Sequence, residues 1–441
     1  MSDKDPRSFS LPRRTVLGGL GAAMAVPLLP KLAFGQTAKL ATAAINTTGL
    51  NVSDSVVKVG ILHSVTGTMA ISETGSVEAE KLAISQINAR GGVLGRKIEF
   101  IQEDGASDWP TFAEKSKKLL TEDKVAAVFG CWTSASRKAV LPVFEQYKGI
   151  LYYPTFYEGL EQSHDVFYEG QEATQQIIAG LDWVTQAPIA EQEGEWLVPE
   201  DKRGIGGTKG AKTFYLLGSD YIWPRTSNKI ARKHIENHLK LEVVGEEYFP
   251  LGSTEFQSVI NKIKLKKPDV IYAIIVGGSN VAFYKQLKAA GIDMVNKQKL
   301  LTISVTEDEI RGIGGDNIVG AYASMKYFQS QDNPVNKEFV KEFKTMWGAD
   351  SVIGDVTQAA YEGPLLWALA CEKAKSFDTD KVIAAQVGVE LDAPEGKVKV
   401  HENHHLWSKT KIGRARTDGQ YDVIWQTKEW VEPNPFPAGY Q

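Results

Sequence analysis

The feature that most constrains this chain is a regular alternation of short apolar runs with longer amphipathic segments, which starts at residue 56. The apolar runs are continuous, as expected for strands that are buried on both faces of a sheet. They lie at 56–62, 98–101, 125–130, 150–154, 213–218, 270–277, 300–305 and 320–327. Helical patterns separate them, at 75–91, at 254–267 with Thr254 as the expected N-cap, and near 335–347 and 356–375. This order predicts mainly parallel α/β sheets with helices on both faces, followed by a more β-rich tail at 396–400, 411–415 and 421–425.

The first 35 residues have the pattern of an export signal. Arg7, Arg13 and Arg14 precede an uncharged stretch at 15–30, and the small residues Ala33 and Gly35 follow. The adjacent arginines are typical of the twin-arginine route. A membrane anchor is the alternative, but the stretch is short and rich in glycine and proline. We expect removal of the signal near residue 35, a flexible polar leader over 36–54 and a periplasmic location.

Composition narrows the class of partner. Hydrophobic residues make up 43% and charged residues 24% of the 441 residues, as in globular proteins. The net charge of −4 argues against nucleic acid as a partner, because neutralising phosphates needs a basic surface. Two cysteines cannot form a disulfide framework. The polar, glycine-rich residues 186–211 interrupt the alternation and predict a surface insertion.

Motifs for catalysis are not found in the sequence. The stretch 206–213 is similar to a phosphate-binding loop but precedes a strand rather than following one. Cys131 is interpreted as a small buried residue, since nothing near it in sequence would activate a thiol. The segment 401–405 holds three histidines and is the best metal candidate, although structural hydrogen bonding is the favoured interpretation. We therefore expect neither a cofactor nor an enzymatic activity.

Parallel sheets place ligand-binding groups directly after their strands. Here the residues that follow the predicted strands are rich in aromatic rings and hydroxyl groups, and they lie at 63–68, 103–109, 131–136, 155–159, 219–225, 277–280 and 306–309. Lone charges are few among them. This composition favours a ligand that is neutral, polar and flat.

Several of these segments carry a family resemblance. The blocks 57–72 (VKVGILHSVTGTMAIS), 87–100 and 103–120 resemble type I periplasmic binding proteins. The blocks 129–145, 152–163 (YYPTFYEGLEQS) and 218–233 are similar to the branch of that family that binds urea and short-chain amides, as are 277–291, 300–310 and 392–409. The resemblance runs from about 56 to 437. It implies an α/β clamshell of two lobes, each a mainly parallel sheet flanked by helices, with the chain crossing between lobes three times.

On this resemblance, lobe 1 would hold 55–173 and 307–385, and lobe 2 would hold 174–306 and 386–432, with a tail at 433–441. The implied function is capture of urea in the interlobe cleft and delivery to the permease subunits of an ABC-type importer. The alternatives are a binding protein for formamide or acetamide, one for branched-chain amino acids, or an amide-sensing regulator of the same fold.

The family pattern also implies the residues that contact the ligand. They are Trp132, Thr133, Ser134, Tyr153, Thr155, Tyr221, Gly277, Gly278, Ser304 and Thr306. Hydroxyl groups suit urea because each can donate or accept, and Trp132 would cover a face of the ligand. Many relatives carry an aspartate where this chain has Gly278, so a backbone group is expected to replace that carboxylate. Trp223, beside Pro224, is interpreted as structural.

Overall fold

The computed structural model describes residues 40–186 and 193–440, and the predicted signal at 1–35 lies outside that range. The first part of the chain builds a fully parallel sheet of order β2-β1-β3-β4-β5. Its elements are α1 (Thr42–Ile45), β1 (Val56–His63), α2 (Ala70–Ala89), β2 (Lys97–Asp104), α3 (Trp109–Thr121), β3 (Val128–Gly130), α4 (Ser134–Tyr147), β4 (Leu151–Tyr153) and β5 (Val166–Tyr168).

The second part begins with a π-helical turn, Thr174–Ile178, and supplies most of a second sheet. Its elements are α5 (Ala179–Thr185), β6 (Gly194–Trp196), α6 (Gly204–Thr208), β7 (Thr213–Ser219), α7 (Ile222–Lys233), β8 (Glu242–Phe249), α8 (Gln257–Lys266), β9 (Val270–Ile274), α9 (Ser279–Ala289), β10 (Lys299–Thr302), α10 (Glu307–Ile313), α11 (Gly315–Ile318) and β11 (Tyr322–Met325). A 3-10 turn (Glu200–Lys202) and a second π-helical turn (His234–His238) complete this part.

The third part returns to the first lobe and then to the second. Its elements are α12 (Pro334–Trp347), α13 (Asp355–Ala374), α14 (Thr379–Gln386), β12 (Glu390–Ala393), β13 (Gly396–Val400), β14 (Leu406–Trp407), β15 (Lys411–Ala415) and β16 (Tyr421–Thr427). Strands β12–β14 form a small antiparallel sheet. The second large sheet has the order β6-β16-β15-β11-β10-β9-β7-β8, in which β8 to β11 run parallel and β15, β16 and β6 are antiparallel.

Two lobes result, each an α/β sheet covered by helices, and the two-lobed fold class predicted from the sequence is confirmed. In the first lobe α13 packs along α2. One buried cluster fills the side of this sheet that faces α2 and α13. A second, larger cluster contains residues of both lobes and therefore crosses the cleft between them.

The division of the chain between lobes differs from the sequence-based one at two places. Strand β11, expected in lobe 1 within 307–385, pairs with β10 and β15 of the second sheet. Residues of β12 and β13, expected in lobe 2, share the buried cluster of the first lobe, for example Leu391 and Val398. The reason is physical: a strand belongs to the lobe of its pairing and packing partners, which an apolar run does not specify.

The described parts of the leader and of the insertion pack against the lobes. Within 40–54, the carbonyl of Ile45 accepts from the backbone of Phe377, and Thr47 donates to Asp378 at 2.6 Å. Within 193–211, β6 pairs with β16 at the sheet edge. In the described ranges, none of the helices has the length and apolar character needed to cross a bilayer.

Candidate ligand-binding cleft

The loops that follow the parallel strands of the two lobes meet across the cleft. The N–H of Gly278, after β9, donates to the carbonyl of Thr68, after β1, at 3.2 Å. Gly277 has a φ of +60°, and a Cβ at this position would lie 2.8 Å from the same carbonyl oxygen. Glycine is required here because the backbone is left-handed and because the opposite lobe is so close. The structure therefore has the two lobes in contact at this point.

Aromatic rings from both lobes form one cluster in the cleft. Trp132 follows β3 and Phe156 follows β4 in the first lobe, whereas Tyr221 and Trp223 stand at the start of α7 in the second. Trp132 and Trp223 meet edge to face with centroids 6.2 Å apart, and Phe156 lies 5.3 Å from Trp223. Both tryptophans are only 2% exposed. Sequence reasoning missed the contact of Trp223 with the opposite lobe, although its place directly after a strand was a usable signal.

The turn after β3 explains how Trp132 reaches the cleft. Cys131 has a φ of +66°, which bends the chain between the strand and α4. Thr133 caps α4, since its hydroxyl oxygen accepts from the N–H of Ser136 at 3.0 Å. The hydroxyl of Tyr153 donates to the carbonyl of Trp132 at 2.7 Å. Thr133 and Tyr153 thus fix the loop that presents Trp132. Burial raises the pKa of Cys131, so its thiol stays protonated.

A buried ionic cluster lies behind this loop. Arg137 is fully buried and donates to Glu161 at 2.8 Å and to Glu158 at 3.2 Å. It also donates to the hydroxyl oxygen of Ser134 at 3.1 Å, and that hydroxyl donates to Glu158 at 2.6 Å. The guanidinium lies 4.8 Å from the centroid of the Tyr153 ring. Ser134 is therefore held by charged neighbours within its own lobe.

The electrostatics of this cluster are balanced internally. Burial by itself would raise the pKa of Glu161, but the charge of Arg137 and hydrogen bonds from Arg137 and Lys138 outweigh it and hold the pKa at about 2. Because Glu161 stays ionised beside Arg137, the guanidinium has its countercharge inside the protein. It does not depend on a ligand for one.

A second buried charged group lies under the loop after β1. His63 Nε2 is 2.8 Å from Glu80 Oε1, and His63 Nδ1 is 3.5 Å from Glu73 Oε2. Glu73 also accepts from the backbone N–H of Ser64 at 2.6 Å. Burial would lower the pKa of His63, but the two carboxylates overcome it and raise the pKa to about 9. This group was missed from sequence, because Glu73 and Glu80 approach His63 only when α2 folds back on β1.

Several polar atoms near the aromatic cluster are buried without a hydrogen-bond partner among the described residues. They are Thr155 Oγ1, Tyr221 OH, Trp223 Nε1 and Glu73 Oε1. Burial raises the pKa of Tyr221, and the nearby groups of Tyr153, Glu158 and Glu73 raise it further. The Tyr221 hydroxyl therefore lies close enough to these three side chains to interact with them electrostatically. Buried polar groups normally have partners, so the unmatched ones that lie at the cleft are candidates for contact with a ligand.

Ser304 and Thr306 have partners within the second lobe. The hydroxyl of Ser304 donates to the carbonyl of Ile275 at 2.9 Å. Thr306 is the N-cap of α10 and forms a capping box with Glu309, to which its hydroxyl donates at 2.7 Å. These hydrogen bonds hold both side chains within their own lobe.

The histidines of 401–405 serve packing and hydrogen bonding. His405 stacks on Tyr168 with centroids 4.4 Å apart, and its Nε2 lies 2.6 Å from the hydroxyl of Tyr157. Burial lowers the pKa of His405 to about 3, so the ring is neutral. Throughout 40–186 and 193–440, three or more histidine, cysteine or acidic residues do not come together in a way that could hold a metal ion.

Comparison with known proteins identifies the family. Residues 57–441 match the family model described as a periplasmic binding protein domain. The chain belongs to this family. It is thus a binding protein and not an enzyme, and the periplasm is the location that the family implies.

The individual relatives match different shares of the chain. Leu/Ile/Val-binding protein homolog 7 of Brucella melitensis biotype 1 is 24% identical over 384 residues, which cover 84% of this chain and 91% of that protein. The limonene hydroxylase of Geobacillus stearothermophilus is 32% identical, but over only 124 residues, so the chain spans 23% of that relative's length. Among solved structures, an ABC-transporter solute binding protein of Rhodopseudomonas palustris BisB5, in complex with 3,4-dihydroxybenzoic acid, has a TM-score of 0.73 at 22% identity. The superposition covers 86% of this chain and 99% of the solved chain, which shows that the two proteins share a fold.

Proposed function

We propose that this periplasmic binding protein captures urea in the interlobe cleft and delivers it to the permease of an ABC-type importer. One observation carries the proposal: the uncharged, unpartnered groups Thr155 Oγ1, Tyr221 OH and Trp223 Nε1 come from both lobes and flank one aromatic cluster. A small neutral ligand with several hydrogen-bonding groups would satisfy them when the lobes close.

Urea fits the chemistry of these groups. It is planar, with four N–H donors and one carbonyl acceptor, and each polar group left unpaired in a buried site costs about 1–3 kcal/mol. The indole N–H of Trp223 can only donate and therefore suits the carbonyl. The hydroxyls of Thr155 and Tyr221 and the carboxylate oxygen Glu73 Oε1 can accept N–H groups. The rings of Trp132 and Phe156 exclude water from the same place.

The balance of charge supports a neutral ligand. Arg137 is paired with Glu158 and Glu161, and protonated His63 is paired with Glu80. A free cation that would attract a ligand carboxylate is not found among these groups. The small size of urea sets an upper limit of about 6 kcal/mol on its binding free energy, which corresponds to a Kd of some tens of μM.

Titration calorimetry on the purified protein tests this proposal. Urea is expected to give saturable heat, and the Trp132→Ala, Tyr153→Ala double variant is expected to give none. Circular dichroism of the double variant checks that it folds. Heat with acetamide or formamide but not with urea would assign the protein to another short-chain amide.

A branched-chain amino acid is the second candidate, and the name of the Leu/Ile/Val-binding relative favours it. An amino acid would need a partner for its ammonium group, and Glu73 Oε1 is the unpartnered carboxylate oxygen that could serve. Saturation by leucine, valine or isoleucine in the same calorimetry, with no response to urea, would favour this candidate. An amide-sensing regulator of the same fold would instead be found uncleaved in the cytoplasm.

Export also belongs to this proposal. The paired Arg13 and Arg14 favour the twin-arginine route, with cleavage near residue 35. Mass spectrometry of periplasmic protein should find a mature chain that starts close to residue 36. An Arg13→Lys, Arg14→Lys variant should accumulate uncleaved in the cytoplasm, and normal export of that variant would contradict the route.

A further inference from the structure

A second cavity lies where the chain makes its second and third crossings between the lobes, and it has a volume of about 740 Å³. Its lining comes from the segment after β6, the segment after β11, the turn between β12 and β13, the start of β15, and Arg416 with strand β16. Those with polar side chains include Lys202, Gln331, Glu395, Lys409 and Lys411. None of the cleft residues described above lines this cavity, so the two places are distinct.

Two polar side chains of the cavity have unmatched buried atoms. Glu395 is 6% exposed, and its Oε2 has no hydrogen-bond partner in the described chain, whereas its Oε1 accepts from Lys326 at 3.1 Å. Gln331 Nε2 is likewise buried and unpartnered there. Burial raises the pKa of Glu395, which favours the protonated carboxyl. A protonated carboxyl and an amide N–H₂ are both donors, so each calls for an acceptor.

Positive charge predominates around these donors. Lys411 is 4% exposed and donates to the backbone carbonyls of Lys326 at 2.6 Å and Glu395 at 3.1 Å, which uses two of its three N–H groups. Lys202 and Lys409 form no ion pair with any residue of the described ranges. The two aspartates of the cavity wall already have basic partners. Asp332 pairs with Lys337 at 2.5 Å, and Asp422 pairs with Arg416 at 2.9 Å.

We propose that this cavity binds a small multivalent oxyanion, a polycarboxylate or a phosphate compound. Lys202, Lys409 and Lys411 would supply the positive charge, and Gln331 and Glu395 would donate hydrogen bonds to oxygen atoms of the anion. The site is independent of urea binding, since it uses other residues.

Calorimetry of the full mature protein with citrate and with inorganic phosphate, each at low ionic strength, tests the site. We expect saturable heat with at least one of them, and the stronger response identifies the source of the oxyanion. The Lys202→Gln, Lys409→Gln variant should bind about fivefold to tenfold more weakly, as expected for the loss of two partly exposed charges. Gln331→Leu, which keeps the net charge, should also weaken binding.

The control is Lys285→Gln, Lys288→Gln on α9, which removes the same charge from an exposed helix away from the cavity. Its anion affinity should stay within about twofold of the parent protein. Equal weakening in both double variants, or no heat with either anion, would overturn the proposal. The Tyr221→Phe variant should bind the anion as the parent protein does. The Lys202→Gln, Lys409→Gln variant should bind urea as the parent protein does. Failure of the anion proposal is therefore distinguishable from failure of the urea proposal.

Discussion

At the scale of single residues, Tyr221 and Tyr272 form a matched pair. Both are tyrosines of the second lobe with a buried hydroxyl that lacks a hydrogen-bond partner in the described residues. Tyr221 lies at the start of α7 beside Trp223 in the cleft, whereas Tyr272 lies within β9 in the core. We therefore propose a ligand contact for the first tyrosine and not for the second.

Tyr221→Phe should therefore weaken urea binding by about 1–3 kcal/mol, roughly fivefold to 150-fold in Kd, because a ligand N–H loses its acceptor. The thermal midpoint of the unliganded protein should hardly change, since the lost hydroxyl had no partner. Tyr272→Phe should leave both quantities unchanged. Calorimetry and thermal unfolding of the two variants check this, and equal urea binding in both would remove Tyr221 from the site.

His63 predicts a pH dependence of stability. Its pKa in the folded protein is raised to about 9, above the value of about 6.5 expected in the unfolded chain. The protonated ring thus stabilises the fold fully below pH ~6.5, and this contribution is lost as the pH rises through 9. The contribution amounts to about 3 kcal/mol at most.

The His63→Gln, Glu80→Gln variant removes this titration while keeping two polar side chains. The free energy of unfolding is measured with guanidinium chloride, because urea is the proposed ligand. Between pH 6.5 and 9 it should fall more steeply for the parent protein than for the variant. If the free energy of unfolding depends on pH in the same way in both proteins, the pKa of His63 does not differ between the folded and the unfolded state.

At the scale of elements, the cleft depends on glycine between β9 and α9. Gly277 and Gly291 both have left-handed backbones, with φ of +60° and +78°. A Cβ on Gly277 would lie 2.8 Å from Thr68 O and 3.0 Å from Met69 Sδ in the opposite lobe, whereas a Cβ on Gly291 would meet nothing within 4 Å. An alanine at either position would adopt an unfavourable left-handed backbone. Only at position 277 would its Cβ also press against the opposite lobe.

Gly277→Ala and Gly291→Ala should each lower stability by about 1 kcal/mol, the cost of an L-residue in a left-handed backbone. Only Gly277→Ala should also weaken urea binding, about tenfold or more, because it obstructs closure of the lobes. Thermal unfolding and calorimetry measure the two effects separately. Weakened binding in Gly291→Ala as well would mean that the closure contact is not the cause.

The elements themselves were largely predictable. The apolar runs at 56–62 and 213–218 became β1 and β7 within one residue at their ends, because a strand buried on both faces leaves a continuous apolar run. Strand β8 was missed, since it lies at the sheet edge and carries polar residues such as Glu242 and Glu246. Thr254 was expected to cap α8, but the helix begins at Gln257.

The cleft was less predictable than the strands. The position directly after a strand brought Trp132 and Tyr221 into consideration, and the structure places both at the cleft, because parallel strands end at a common edge. The same rule could not show that the Ser304 hydroxyl turns to Ile275 or that Glu73 reaches Ser64. Those partners depend on side-chain direction and on how α2 packs, which are tertiary properties.

At the scale of the whole molecule, closure and binding are one process. The larger core cluster joins Met69 and Trp132 of the first lobe to Trp223 and Val276 of the second. Bringing the lobes together buries these apolar groups, but it also buries polar atoms such as Thr155 Oγ1. A ligand that supplies partners for those atoms binds the closed form better than the open form and shifts the population toward it.

The two lobes followed from the family resemblance, whereas the positions at which the chain passes from one lobe to the other did not. The resemblance was carried by blocks of residues such as 57–72 and 152–163. The placement of β11 and of β12–β13 depended on pairing partners far apart in sequence, for example Leu301 with Tyr322.

A crystal structure of the mature protein grown with urea would show whether the ligand lies between the lobes. We expect one urea molecule beside the cluster of Trp132, Phe156 and Trp223, with hydrogen bonds to the hydroxyls of Tyr221 and Thr155. Closed lobes with no urea within hydrogen-bond distance of these two hydroxyls, at a urea concentration that saturates the protein in calorimetry, would contradict this proposal.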